Sequence, residues 1–121
     1  MARPKKRSIL FIDEDAHFTA IYEGRFEASG WKVIRAKNFQ DGKKKLTRTV
    51  PDVVVTDLHP LTESIPFLEE LKGSQTIRFV LTDVGDRRTV KEVESLGVAA
   101  YFLKSHISPS EVIRKVKSFF V

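Results

Sequence analysis

Short apolar runs alternate along the chain with segments whose apolar residues recur at helical spacing. The run Ser8–Ile12 is apolar and stops at three consecutive acids, which is typical of a buried strand. Asp15 can cap a helix that we predict to end near residue 28, before Gly30. The same alternation continues through the chain. Further strands are predicted at 31–35, 52–56, 77–81 and 98–103, and further helices at about 38–48, 66–71, 86–96 and 108–120.

The signals for the helices differ in strength. The last helix has the strongest signal, because Ser108 and Glu111 can form a capping box with Pro109 at the first helical position. The third has the weakest: a short stretch that begins at Pro66 and is closed by Gly73. The apolar face predicted for the first helix consists of Phe18, Ile21, Tyr22 and Phe26.

Five strands that alternate with five helices predict an α/β domain, in which a parallel sheet has helices on both faces. The chain has 121 residues, which is the size of one domain, and it contains no evident internal linker or sequence repeat. In open parallel sheets, ligands bind where the strands end, at their carboxyl edge. The residues that follow the predicted strands therefore decide the function.

The positive charge is concentrated at the start of the chain. The formal net charge is +5, and Arg3, Lys5, Lys6 and Arg7 are basic, whereas residues 8–121 are almost neutral. We predict that residues 1–7 form a basic, disordered arm, which can touch phosphates or an acidic partner, and that residues 8–121 form the domain. Because the body is almost neutral, nucleic acid is not an expected partner.

The composition excludes several classes of protein. The absence of cysteine excludes disulfide scaffolds, zinc fingers and thiol nucleophiles. No apolar run approaches the ~20 residues that span a bilayer, and the N-terminus has no apolar signal core. We therefore expect a cytoplasmic protein with no membrane partner.

Side chains that can react or bind a ligand follow four of the predicted strands. They are Asp13, Glu14, Asp15, Asp57, Thr82 and Lys104. Each also has a purely structural explanation, as a helix cap, a loop residue or a surface lysine. However, three consecutive acids exceed what a cap needs, and a carboxylate at the end of an apolar strand is costly without a counter-charge. We therefore favour a cation site at this edge of the sheet and a functional role for Asp57.

Four segments around these residues resemble the receiver domain of two-component response regulators. They are ILFIDED at 9–15, PDVVVTDL at 51–58, VLT at 80–82 and GVAAYFLK at 97–104. The resemblance implies a flavodoxin-like, doubly wound five-stranded sheet of order 2-1-3-4-5 with five flanking helices. Because the interval between Asp57 and Thr82 is shorter than is usual in the family, it also implies a shortened third helix.

The resemblance implies that Asp57 is the phosphoacceptor and that a sensor histidine kinase or a phosphotransfer protein is the donor. Mg²⁺, or another divalent cation, would offset the repulsion between the two anionic reactants. The implied ligands are the carboxylates of Glu14 and Asp57 and the backbone carbonyl of His59, with Asp13 bound through water or in the outer shell. The ring of His59 has no implied role, since the chain has no ligand-spaced group of histidines.

The same resemblance gives roles to three residues near the acceptor. Lys104 would pair with one phosphoryl oxygen and Thr82 would donate a hydrogen bond to another. Tyr101 would be a switch residue that rotates, although simple packing of a strand aromatic explains it equally well. The implied protein is not an enzyme. Its phosphorylation would alter binding to an unknown output protein or to a second copy, through the fourth helix, the fifth strand and the fifth helix.

The sequence also departs from the family pattern. Leu58-His59-Pro60 follows the acceptor in place of the usual Met-Pro pair, and Asp83 and Ser105 replace a small residue and a proline. These departures leave open a pseudo-receiver that docks to proteins without being phosphorylated. A phosphatase or a flavin binder is disfavoured, because His59 stands where such a phosphatase needs a second acid and no phosphate cradle follows the first strand.

Overall fold

The computed structural model describes residues 6–120 as one parallel sheet with helices on both faces. Its strands are β1 (Ser8–Ile12), β2 (Lys32–Ala36), β3 (Val53–Thr56), β4 (Ile77–Thr82) and β5 (Ala100–Leu103). Its helices are α1 (Ala16–Ala28), α2 (Phe39–Leu46), α3 (Leu61–Glu70), α4 (Arg87–Glu94) and α5 (Pro109–Lys117). The strand order is β2-β1-β3-β4-β5, which confirms the predicted fold class. Within residues 6–120, none of the helices is long and apolar enough to cross a membrane.

The sheet buries both of its faces because successive strand residues point to opposite sides. In β1, Ile9 and Phe11 pack with residues of α1 and α5, whereas Leu10 and Ile12 pack on the other side with α2 and α3. All four residues of the central strand β3 are buried. The faces of the sheet are thus occupied by packing, and the strand ends are left for function.

Polar residues fix the start of most helices beside the carboxyl edge of the sheet. The side chains of Asp15, Asn38 and Asp86 accept hydrogen bonds from backbone N–H groups in the first turns of α1, α2 and α4. Ser108 and Glu111 form the predicted capping box at the start of α5. These caps hold the loops that carry the candidate site residues.

The third helix differs from the prediction. α3 begins at Leu61 and has ten residues, so the predicted span 66–71 is too short, and Pro66 lies inside the helix. A proline normally ends or kinks a helix, because it lacks an N–H group. Here the turn before it is held in place, since the buried hydroxyl of Ser64 donates to the backbone carbonyl of Leu58 at 2.7 Å. The other element bounds differ from the prediction by at most three residues, the largest difference being at the end of α5, where a short 3-10 helix covers Ser118–Phe120.

The buried face of α1 is narrower than predicted. Tyr22 and Phe26 are buried and Phe18 packs against the same cluster, but Ile21 is 49% exposed. Side chains four positions apart lie one above the other on a helix. Phe18, Tyr22 and Phe26 therefore form one row against the sheet, and Ile21 falls beside that row.

The start of the described chain is tied to the sheet at Arg7. Its carbonyl accepts a hydrogen bond from the backbone N–H of Lys32 at 2.8 Å. Its guanidinium lies 3.8 Å from a carboxylate oxygen of Asp52 and 4.7 Å from the centre of the Phe120 ring. Residues 1–5 of the predicted basic arm lie outside the described residues.

Arg78, near the start of β4, is a charged side chain in the core and is only 6% exposed. One guanidinium nitrogen donates to the carbonyl of Leu68 and another to the carbonyl of Leu96, both at 2.7 Å. These carbonyls lie near the carboxyl ends of α3 and α4, where helices carry partial negative charge. Burial lowers the pKa of the guanidinium. Arg78 thus connects two helix ends through the core.

Candidate functional site

The parallel register brings the predicted site residues to one edge of the sheet. Ile12 at the end of β1 is paired with Thr56 at the end of β3, so Asp13 and Asp57 leave adjacent strands side by side. β4 and β5 end in the same way, which places Thr82 and Lys104 next to the two acids. The convergence predicted from the strand ends is what the fold produces.

Lys104 joins the two acids. Its Nζ lies 2.8 Å from Oδ2 of Asp13 and 3.5 Å from Oδ2 of Asp57, and it also lies 4.4 Å from the centre of the Phe18 ring. Burial by itself would lower the pKa of Lys104. The hydrogen bond to Asp13 and the charges of Asp57 and Asp13 outweigh burial, so the pKa is raised above that of an ordinary lysine. Lys104 is therefore a firmly charged group at the centre of the site.

The two oxygens of the Asp57 carboxylate have different surroundings. Oδ1 accepts hydrogen bonds from the backbone N–H of Leu58 at 2.7 Å and from the hydroxyl of Thr82 at 2.6 Å. Oδ2 has only the long contact with Lys104 within the described residues. The side chain is 21% exposed. The carboxylate is thus oriented by one oxygen, while the other remains accessible.

A cavity of about 230 Å³ opens beside Asp57. Its lining shows whether the implied metal ion would find suitable ligands here. Asp13, Glu14, Asp57 and His59 all contribute to its wall, together with Glu63. Carboxylate and carbonyl oxygens are the ligands that Mg²⁺ prefers, so the donor types fit. In residues 6–120, no three acids or histidines are gathered closely enough to form a ready metal-binding cluster. The donor set is right in chemistry, but its side chains stand apart around the cavity.

A chain of hydrogen bonds leads from Asp57 to Tyr101. The buried hydroxyl of Thr82 donates to Asp57 and accepts from the backbone N–H of Val84 at 3.3 Å. The Tyr101 hydroxyl donates to the carbonyl of Val84. Burial raises the pKa of Tyr101 to about 12, and the negative charges of Asp86 and Asp57 add to this rise. Tyr101 therefore remains a protonated donor at neutral pH.

The predicted residues fall into two groups. Asp13, Asp57, Thr82 and Lys104 form one connected network of ion pairs and hydrogen bonds. Glu14 and His59 are exposed at the cavity wall, and Tyr101 is joined to the network only through Val84.

Two contacts of the site do not follow from the sequence pattern. Phe18 has the spacing of a core residue, and its ring also lies against Lys104. Val84 acts through its backbone, which no sequence pattern reports.

Comparison with known proteins gives consistent results. No family model matches the chain. The "Probable transcriptional regulator ycf27" of Porphyridium aerugineum is 31% identical over 119 residues, which are 94% of this chain and 48% of that protein. The "Alkaline phosphatase synthesis transcriptional regulatory protein PhoP" of Bacillus subtilis is 25% identical, over 93% of this chain and 48% of that protein. The chain spans about half the length of these curated relatives.

Solved structures show the same fold. A response regulator from Thermotoga maritima superposes with a TM-score of 0.84 at 23% identity, covering 94% of this chain and 97% of that one. A CheY-like receiver domain protein from Methanospirillum hungatei gives a TM-score of 0.85 at 19% identity, covering 95% and 94%. The sequence similarity extends over nearly the whole chain and the fold is the same. The chain is thus similar in sequence to these transcriptional regulators over nearly its whole length, and it has the fold of solved response regulator receiver domains.

Proposed function

We propose that the protein is the phosphoacceptor of a two-component phosphorelay and that Asp57 receives the phosphoryl group. The observation that carries this proposal is the environment of Asp57: one oxygen is held by two donors, and the other faces Lys104 beside an open cavity. The similarity to response regulators supports the same function. A docking module without phosphorylation is less well supported, because the acid, the hydroxyl and the lysine are all present and connected.

In the proposed reaction, Oδ2 of Asp57 attacks the phosphorus of a phosphohistidine. The P–N bond breaks, its electron pair leaves with the imidazole of the donor, and Asp57 becomes an acyl phosphate. Two anions must approach each other, so their repulsion opposes the step. Lys104 lies 3.5 Å from Oδ2 and can pair with a phosphoryl oxygen, while Thr82 can turn its hydroxyl to another.

A divalent cation fits the same place. Glu14, Asp57, the backbone carbonyl of His59 and, through water, Asp13 would hold it. When bound, Mg²⁺ neutralises negative charge on the phosphoryl group and the carboxylates. Lys104 alone balances only one of the carboxylates that it contacts, so a second positive charge has an electrostatic reason to bind here.

The proposed partners follow from this chemistry. The donor is a sensor histidine kinase or a phosphotransfer protein, and the chain acts as a stoichiometric acceptor rather than as an enzyme. The reader of the phosphorylated state is an output protein or a second copy of the chain. A cytoplasmic location stays a prediction.

The hydrogen bonds from Asp57 to Tyr101 provide a route for the signal. When Thr82 donates to a phosphoryl oxygen, its oxygen moves relative to the backbone N–H of Val84, which now lies 3.3 Å from it. The backbone carbonyl of Val84 accepts a hydrogen bond from the hydroxyl of Tyr101. A shift of the loop that contains Val84 therefore changes the position of the Tyr101 ring on β5. The surface of α4, β5 and α5 is then altered for a partner to read.

The proposal is tested by intact mass spectrometry after incubation with acetyl phosphate and magnesium. We expect one added phosphoryl group on the wild type and none on Asp57→Asn, since the amide is a poor nucleophile. A chelator should suppress the reaction on the wild type.

Asp52→Asn is the matched control, because Asp52 is an acid near the other end of β3 and pairs with Arg7. It should be phosphorylated like the wild type. If the wild type gains no phosphoryl group, or if Asp57→Asn still gains one, Asp57 is not the acceptor and the docking module becomes the better explanation.

A further inference from the structure

The folded protein concentrates positive charge at the amino edge of its sheet, opposite the site around Asp57. Two cavities of about 590 and 370 Å³ lie there, beside β2 and the end of α2. They share Lys32, Arg48 and Thr49 in their walls, so they form one continuous groove. We call it the basic groove, after the six basic residues that line it: Lys6, Arg7, Lys32, Lys44, Lys45 and Arg48.

Most of the positive charge in the basic groove is not neutralised. Two acids line it: Asp52 lies 3.8 Å from Arg7, and Asp41 lies 3.4 Å from Lys45. The other four basic side chains have no carboxylate oxygen within 4.0 Å in residues 6–120. Neighbouring like charges without counter-charges produce a positive potential that attracts anions.

The basic groove cannot be inferred from the net charge of the chain. Residues 8–121 are almost neutral, a composition that disfavours nucleic acid as a partner. Folding separates the charges, because the acids that follow β1 and β3 gather at the carboxyl edge. Lys32 of β2 and the basic residues at and after the end of α2, which are Lys44, Lys45 and Arg48, line the groove instead. A nearly neutral body therefore has one strongly basic surface.

The lining of the groove indicates what kind of anion it fits. None of the residues lining the two cavities is aromatic, so bases of a single strand have nothing to stack on. Nζ of Lys45 donates to the backbone carbonyl of Arg35 at 2.6 Å. This hydrogen bond occupies a backbone acceptor on the free edge of β2, so it opposes the pairing of an acidic peptide with β2 as an added strand. Flexible lysines around an open groove suit repeated phosphates. We propose that the basic groove binds the phosphate backbone of duplex DNA without reading its sequence.

The affinity of the basic groove for a duplex should depend strongly on the salt concentration. Four unneutralised cations, each displacing counterions from the duplex, give a loss of affinity of about a hundredfold between 50 and 200 mM salt. Phosphorylation is not needed for this binding, since the groove lies at the opposite edge of the sheet from Asp57.

The test is fluorescence anisotropy of a labelled random-sequence DNA duplex with the full chain at several salt concentrations. The triple variant Lys32→Gln/Lys44→Gln/Arg48→Gln should bind at least about tenfold more weakly at low salt and should show a flatter salt dependence. The matched control is Lys72→Gln/Lys91→Gln/Arg114→Gln, which removes the same charge from positions elsewhere on the surface. It should retain affinity to within about threefold.

Asp57→Asn should bind the duplex like the wild type, which separates this test from that of phosphorylation. Three results would overturn the proposal. The first is an equal loss of affinity in both triple variants, which would mean that net charge alone is responsible. The second is wild-type binding by the groove variant. The third is binding of labelled polyglutamate in place of the duplex, which would assign the groove to an acidic protein.

Discussion

Two buried or partly buried cations lie toward opposite ends of the sheet, and their partners differ. Lys104, just after β5, lies 2.8 Å from Asp13 and 3.5 Å from Asp57. Arg78, near the start of β4, donates to the carbonyls of Leu68 and Leu96 and has no carboxylate within 4.0 Å in residues 6–120. One cation is thus held by side-chain charges and the other by the ends of two helices.

The two cations differ in what their partners allow: the partners of Lys104 can change during a reaction, whereas those of Arg78 only stabilise the fold. A carboxylate side chain can be modified or can turn, so in the proposed reaction Lys104 exchanges Asp57 for a phosphoryl oxygen without any change in the backbone. The carbonyls that hold Arg78 belong to the main chain near α3 and α4, and they move only if those segments move. Exchangeable partners beside an open cavity, rather than burial of a charge, distinguish the end of the sheet that carries the candidate site.

Removing the structural cation should have the largest effect. Arg78→Met leaves the buried carbonyl of Leu68 and the partly buried carbonyl of Leu96 without this donor, at about 1–3 kcal/mol each, so we expect the free energy of unfolding to fall by about 2–6 kcal/mol. Urea unfolding at neutral pH measures it. Arg78→Lys keeps the charge but loses the planar fork that reaches both carbonyls, and it should fall in between. A loss below about 1 kcal/mol for Arg78→Met would show that the two helix ends do not depend on the guanidinium.

Removing Lys104, the cation of the candidate site, should reduce the stability less. Lys104→Met leaves Asp13 and Asp57 facing each other without a counter-charge, and we expect a loss of about 1–2 kcal/mol in the same measurement, since the pair is only partly buried. Adding Asp13→Asn to Lys104→Met removes one of the two like charges and should recover part of the loss. Strict additivity of the two substitutions would contradict the ion pair.

The pH dependence of the same variant gives a further check. The pKa of Lys104 is raised in the folded protein, so its contribution to stability is complete below the ordinary lysine value of 10.5 and is lost as the pH rises through the raised value. The difference in unfolding free energy between wild type and Lys104→Met should therefore be constant from neutral to mildly alkaline pH and shrink above that range. A difference that grows with pH would contradict the pairing.

The smallest effect concerns the signal route at the functional end. Beryllofluoride, a phosphoryl mimic, should shift amide signals at Thr82, Val84, Tyr101 and α4 in the wild type. Tyr101→Phe removes the hydroxyl that donates a hydrogen bond to the carbonyl of Val84. The amide shifts should therefore persist around Asp57 but weaken in α4. Two-dimensional NMR of both proteins measures this. Equal shifts in α4 for both proteins would mean that Tyr101 is only a packing residue.

Most of the fold could be predicted because its signals are local. The apolar run of β1, the cap at Asp15 and the capping box at Ser108 each act within a few residues of sequence, and each is confirmed. The start of α3 could not be predicted in this way. It depends on the hydrogen bond from Ser64 back to Leu58 and on the burial of Phe67 and Leu68, and these tertiary contacts override the usual effect of Pro66.

The site could be predicted in its members but not in its connections. Asp13, Asp57, Thr82 and Lys104 follow strands, and a parallel sheet must bring them to one edge. That Lys104 contacts both acids and also lies over the Phe18 ring is a matter of side-chain conformation, which the order of the strands does not determine. The partners of Arg78 are backbone carbonyls, which leave no trace in sequence.

The members of the site come from distant parts of the chain. Thr82 lies 25 positions from Asp57, and Lys104 lies 47 positions from Asp57 and 91 from Asp13. β5 is an edge strand that pairs with β4, so these contacts close only after the last strand has joined the sheet. Pairings over such separations are late and slow steps in folding. Under the proposed function, the chain therefore becomes competent to receive a phosphoryl group only once β5 has paired with β4.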